Sequence, residues 1–326
     1  MNKPYFDIAP MFELMKTAPG IPALPEQYLD QIPVKYLDIP YANASEDQKI
    51  DIYLPIEPSD KPVPVVCWIH GGGFSMGFKR DGSLFDLLPV LLRGYALVSI
   101  GYRKSGEARF PANVYDAKAA IRHIRANADK YGLDGSRIAV WGGSAGGWLA
   151  SFLAATNGNP AFEDLSMGNP DVSSDVQVLI DWCGPNADFN EMNKQLKALG
   201  PRPEHKDPKG PGGPGGGPGG PGKPGLSPES AFMGAPVETV PELVRLAAPA
   251  THVTSKMIPT FIAHGDKDYT VPLAQSEAFY HAIVEKAGAD RVQMYVHPGG
   301  GHHGDMWYHS PELLEMCISF LDKYLK

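Results

Sequence analysis

The stretch RIAVWGGSAGGWLASFLAA, residues 137–155, decides the fold. Arg137 to Trp141 is short and apolar, as a buried strand would be, and the run from Trp148 onward has the composition of a buried helix. Between them Gly142-Gly143-Ser144-Ala145-Gly146 matches G-x-S-x-G, a pattern that needs a strand before it and a helix after it. The spacing predicts a tight strand-to-helix turn that holds Ser144 strained with its Oγ exposed, while glycines at 142 and 146 relieve the crowding. Taken without its flanks, the pentapeptide would equally fit a glycine turn at a helix start or a phosphate-binding loop. The flanks favour an activated serine, whose hydroxyl needs a base to take its proton.

Working outward, strand-like and helix-like segments alternate on both sides. Strands are expected at 50–54, 63–70 (VPVVCWIH), 95–102 (YALVSIGY), 176–182, 258–264 and 292–296, and helices at 83–93, 112–131, 272–288 and 311–325. Continuous apolar runs separated by helices of ten or more residues imply a mostly parallel sheet covered on both faces, an α/β fold. In such sheets, function gathers at the carboxyl ends of the strands.

Three further motifs lie at those ends. His70-Gly71-Gly72-Gly73-Phe74 follows the strand at 63–70, and consecutive glycines let backbone N–H groups face a substrate oxygen. With the N–H of Ala145 they would form an oxyanion hole. His264-Gly-Asp266-Lys-Asp268-Tyr-Thr-Val271-Pro272 offers two acids after its strand, and His297-Pro-Gly-Gly-Gly-His302-His303-Gly304-Asp305 offers histidines on a glycine arm. Serine, acid and histidine in that chain order suit a nucleophile, a proton-transferring imidazole and the carboxylate that fixes its tautomer.

The chain resembles α/β-hydrolase esterases, and within them is similar to the bacterial feruloyl and acetyl-xylan type. DIYLP at 51–55, HGGGF at 70–74, GYRKSGEARFPANVYDAKAAIRHIRANADKYGLD at 101–134, WGGSAGG at 141–147, SPESAFMG at 227–234, HGDKDYTVP at 264–272 and GGGHHGD at 299–305 carry the likeness, over roughly residues 45–325. Position by position, the resemblance implies Ser144 as nucleophile, Asp268 as acid, and Gly72, Gly73 and Ala145 as oxyanion donors. For the base, ungapped counting from the last strand favours His302, and the pairing of histidine with a following glycine favours His303. The resemblance implies hydrolysis of short-chain acyl, acetyl or feruloyl carbohydrate esters through an acyl-enzyme, with no metal or organic cofactor. A serine peptidase or amidase of the same fold is the rival enzyme, and a non-catalytic ligand-binding homologue the rival outside enzymes.

Composition narrows the remaining classes. With 29 basic and 37 acidic residues the net charge is −8, which argues against a nucleic-acid partner. No apolar run reaches the roughly 18–20 residues of a membrane span, and the acidic, proline-bearing start is unlike a signal peptide, so a cytoplasmic location is expected. Cys67, Cys183 and Cys317 cannot all pair, and no disulfide framework is expected. All of residues 208–225 except Lys209 and Lys223 are Gly or Pro, a composition expected to form a mobile surface insertion at about 200–226 of a single domain spanning 1–326. Asp116, Arg122, Asp134 and Arg137 suit structural ion pairs, and Cys183 a small buried hydrophobe. Phe74, Trp148, Trp182 and Trp307 suit either a pocket wall or plain core. A metal cluster of His297, His302, His303 and His309 is disfavoured by its spacing.

Overall fold

The computed structural model of the chain describes residue 6 and residues 22–200, 226–302 and 309–326. The Gly/Pro-rich stretch at 201–225 lies outside the described residues, as do His303 and Trp307. Eight strands form one sheet: β1 (Lys35–Pro40), β2 (Lys49–Tyr53), β3 (Val63–Ile69), β4 (Ala96–Ile100), β5 (Leu133–Gly143), β6 (Val178–Trp182), β7 (Thr260–Gly265) and β8 (Val292–His297). Their order is β1-β2-β4-β3-β5-β6-β7-β8. The pairs β1–β2 and β2–β4 are antiparallel, and every pair from β4 across to β8 is parallel. This is the mostly parallel α/β sheet that the alternating pattern implies, and it agrees with the α/β-hydrolase fold that the resemblance implies.

β3 is buried at all seven positions because both of its faces are covered. Val65, Cys67 and Ile69 point into one hydrophobic layer and Val66 and Trp68 into the other, the period-two consequence of the pleat. The first layer is closed by the helices Ala112–Ala126 and Ala145–Ala155, and the second by residues 82–93 and the helix Pro311–Leu325. Residues 82–93 are a 3-10 helix rather than the α-helix that the spacing predicts. Pro89 inside it has no N–H to give to an α-helical ladder. The helix expected at 112–131 is broken at Asn127 into Ala112–Ala126 and Ala128–Tyr131. No helix among the described residues is long and apolar enough to cross a membrane.

β5 sits at the centre of the parallel part, so its carboxyl end opens where β3, β6 and β7 also end. The candidate serine of the G-x-S-x-G turn follows β5 directly, at this end of the sheet.

Candidate active site

At the end of β5 the chain turns directly into the helix Ala145–Ala155, with Ser144 at the junction. Ser144 has φ 55° and ψ −122°, a conformation costly for a residue with a Cβ and held here by its neighbours. Its N–H donates to Trp182 O at 2.8 Å, and its carbonyl accepts from Trp148 N at 2.9 Å. The turn is therefore tied both to β6 and to the helix that follows.

The arm after β3 lies against this turn. A Cβ on Gly71 would meet Ser144 Cβ at 3.4 Å. The arm is pinned from below by His70, whose ring stacks on Tyr102 at 4.4 Å, while Tyr102 Oη donates to His70 O at 2.8 Å. Burial pushes the His70 imidazole toward its neutral form. Above it, Gly72 O accepts from Ser75 N and Met76 N and closes the arm into a turn. Among the described residues the N–H groups of Gly72, Gly73 and Ala145 have no hydrogen-bond partner. Three unpaired donors beside one serine hydroxyl suit an anion forming on a substrate oxygen.

The imidazole arrives from the other side of the sheet end. Residues 297–302 dock on the end of β7 through Asp266 N to His297 O (3.1 Å), Lys267 N to Gly300 O (2.8 Å) and Gly299 N to Asp266 Oδ1 (2.7 Å). Gly265 permits this approach, since a Cβ there would lie 2.9 Å from Gly301 O and overlap Gly300. His302 then bridges the two halves, with Nε2 2.8 Å from Ser144 Oγ and Nδ1 2.6 Å from Asp268 Oδ2. Asp268 Oδ1 accepts from Thr270 N at 2.8 Å and Val271 N at 2.9 Å, which fixes the carboxylate plane. Burial works against the charge on Asp268, but the neighbouring His302 and hydrogen bonds from His264 and His302 outweigh it and hold the carboxyl well below the usual range. Burial likewise opposes a protonated His302, yet the Asp268 carboxylate, helped by the Cys183 sulfur, raises its proton affinity.

The chain matches the BD-FAE family over residues 50–283. The chain belongs to the BD-FAE family. Esterase LipQ of Mycobacterium tuberculosis is 29% identical over 289 residues, 88% of this BD-FAE chain and 61% of LipQ. The chain thus spans about three-fifths of the length of this relative, and 57% of esterase LipC from the same organism. Among solved structures, a truncated carbohydrate esterase from gut microbiota superposes with a TM-score of 0.76 at 27% identity, covering 92% of this chain and 98% of that one. A bifunctional GH43-CE protein of Bacteroides eggerthii gives 0.74 at 30% identity, covering 89% of this chain and 38% of that one.

Of the residues singled out in the BD-FAE chain, Ser144, Asp268 and His302 are joined by hydrogen bonds; Ala145 follows the serine directly, and Gly72 and Gly73 follow Gly71, whose added Cβ would touch Ser144 Cβ. His303 lies outside the described residues. Asp266 is not at the imidazole; it is exposed and holds the Gly299 turn. The histidines weighed as a metal cluster face different partners: His297 contacts Tyr295, His302 the serine and Asp268, and His309 pairs with Asp86. Trp182 is core in the opposite layer, edge-on to Trp68 and Trp141. Phe74 and Trp148 are also buried, with Phe74 stacked on Phe232 at 4.2 Å. Asp116 pairs with Arg103 at 2.7 Å and Arg122 with Glu163, not with each other, whereas Asp134 does pair with Arg137.

Two neighbours of the site have only a weak signal in the sequence. Cys183, with φ 46°, follows β6, and its Sγ lies within 4.8 Å of the Asp268 and His302 donor atoms. His264, inside β7, reaches Asp268 Oδ2 at 3.2 Å. The apolar strand pattern hides His264, although its spacing of four residues from Asp268 within H-G-x-x-D could have drawn attention to it.

Proposed function

We propose that this chain is a carboxylic-ester hydrolase that works through a serine acyl-enzyme. The observation that carries the reading is the hydrogen-bonded line from Ser144 Oγ through the His302 ring to Asp268, at 2.8 and 2.6 Å. Ser144 Oγ adds to the ester carbonyl as its proton passes to His302 Nε2. The carbonyl electrons become an oxyanion that the Gly72, Gly73 and Ala145 amides receive. The intermediate collapses by expelling the alcohol, which takes the proton from His302, and the acyl group stays on Ser144. Water repeats the steps and releases the acid. Asp268 keeps the proton on Nδ1 in the resting ring and stabilises the imidazolium formed during each transfer. The described residues, built as one sheet with its covering helices, are consistent with a single catalytic domain.

The substrates of this reading are short acyl groups, acetyl or feruloyl, esterified to carbohydrates; a relative named as an esterase and a neighbour named as a carbohydrate esterase support it. Purified protein should hydrolyse short-chain p-nitrophenyl esters and release acid from acetylated or feruloylated oligosaccharides. Ser144→Ala should abolish both activities, and undiminished turnover by that variant removes the reading.

A further inference from the structure

The acid of the proposed triad has a second imidazole. His264 is fully buried on β7, and its Nε2 lies 2.8 Å from Val271 O and 3.2 Å from Asp268 Oδ2. A backbone carbonyl can only accept, so Nε2 carries the hydrogen and donates to both oxygens. On the far side of the ring, Nδ1 lies 2.7 Å from Ser276 Oγ, also fully buried, on the helix Leu273–Ala287. With the hydrogen on Nε2, the neutral ring accepts the Ser276 hydroxyl proton at Nδ1. Asp268 then has four donors: Thr270 N and Val271 N on Oδ1, His302 and His264 on Oδ2. The other titratable groups facing this array are Asp181 from β6, which faces His264, and Cys183 beside His302.

We infer that His264 is a positioning residue for the hydrolytic reaction: through the Ser276–His264–Asp268 hydrogen-bond chain it fixes the Asp268 carboxylate and limits how much of its charge reaches His302. This rests on the serine-hydrolase reading above. Two imidazole N–H groups share one carboxylate oxygen. Removing the His264 donor leaves that oxygen's charge to His302 alone, so protonated His302 becomes more stable and the base becomes available only at higher pH. The bond to Val271 O also closes the 268–271 turn onto β7, so the same loss loosens the carboxylate. Ser276 polarises the ring from the other side and strengthens the Nε2 donor.

The test uses the full chain and a fluorophosphonate, whose rate of attachment to Ser144 reports the serine–imidazole pair without a known substrate, together with kcat and KM on a p-nitrophenyl ester. His264→Leu should move the acid limb of the labelling rate up by about half a pH unit or more and lower kcat on the order of tenfold with little change in KM. His264→Gln, which restores an amide donor near the Nε2 position, should bring the limb back toward the wild type. Ser276→Ala, a smaller change to the core, should shift the limb in the same direction by less. An unshifted limb in folded His264→Leu overturns the inference, as does an unshifted limb in Ser276→Ala if the leucine variant does not fold. In either case wild-type labelling at Ser144 leaves the hydrolase reading standing. A wild-type chain that is not labelled at Ser144 overturns both.

Discussion

Gly146 packs against the carbonyl oxygen of Ile69 so closely that the helix after Ser144 and the end of β3 leave no room for a Cβ between them. The carbonyl oxygen of His70 would be only 2.5 Å from that atom, so the obstacle is backbone rather than a side chain that could turn away. Gly146→Ala should therefore cost on the order of 3 kcal/mol of stability and misplace Ser144 relative to the glycine arm. Gly106, around which nothing lies within 4 Å and whose φ is not positive, is the control; Gly106→Ala should stay within about 0.5 kcal/mol of the wild type. Denaturant midpoints of the two variants compare them directly, and equal midpoints would show that the close approach is not needed.

The two acids after β7 make separable predictions. Asp268 receives the His302 ring, whereas Asp266 accepts from Gly299 N at the base of the arm. Asp268→Asn keeps the shape but offers His302 Nδ1 an amide, favouring the wrong tautomer, and should lower kcat by about 10⁴-fold. Asp266→Asn retains an oxygen acceptor for Gly299 N and should cost less than about tenfold. A reversal of that ranking would transfer the acid role to Asp266.

The pH dependence of turnover has a definite sign. His302 must be neutral to take the Ser144 proton, and the balance of burial against Asp268 and Cys183 raises its pKa above 6.5. Activity is therefore lost as pH falls through a midpoint above 6.5. The linked stability runs the other way. The raised proton affinity of the folded state contributes stability that is complete below pH 6.5 and is lost as pH rises through the folded-state value. A kcat/KM profile on a neutral ester, with an acid limb centred well below 6.5, would contradict this.

The central sheet is legible in the sequence because strands covered on both faces read as near-continuous apolar runs: β3, β4 and β6 are buried throughout, with only Ser99 in β4 and Asp181 in β6 interrupting the pattern. β1 is not legible: it is an exposed edge with burial following no alternation, its register breaks between Tyr36 and Ile39, and Asp38 has φ 57°. The helix Phe189–Leu199 also escapes, since only Phe189 and Met192 of it are buried. At the site, Ser144 and the glycine arm announce themselves because their chemistry needs fixed neighbours in sequence. His302 and Asp268 are brought together by docking of the 297–302 arm on Gly265, a relationship between strands that spacing alone does not encode. His264 and Cys183 are harder still, because each looks like ordinary core within or beside an apolar strand.

Asp181 makes the last prediction. It is fully buried at the end of β6, with Oδ1 accepting from Gly184 N at 3.0 Å and Oδ2 from Asn186 Nδ2 at 2.7 Å. Burial pushes its pKa up to about 7, against the pull of the neighbouring His264 ring and these two hydrogen bonds. A carboxyl whose folded value exceeds its unfolded 3.8 holds a proton in the native state that the unfolded chain has released, so its contribution to stability falls as pH rises from 3.8 to about 7. The decline runs at about 1.4 kcal/mol per pH unit in the middle of that window. Asp181→Asn removes the ionisation while keeping the oxygen for Gly184, and a flipped Asn186 amide, whose Oδ1 has no partner among the described residues, can accept from the new side chain. The variant should therefore gain stability relative to the wild type between pH 4 and 8. Chemical denaturation of both proteins at those two pH values measures the difference, and a stability gap that does not change with pH would mean that Asp181 is already ionised in the folded chain.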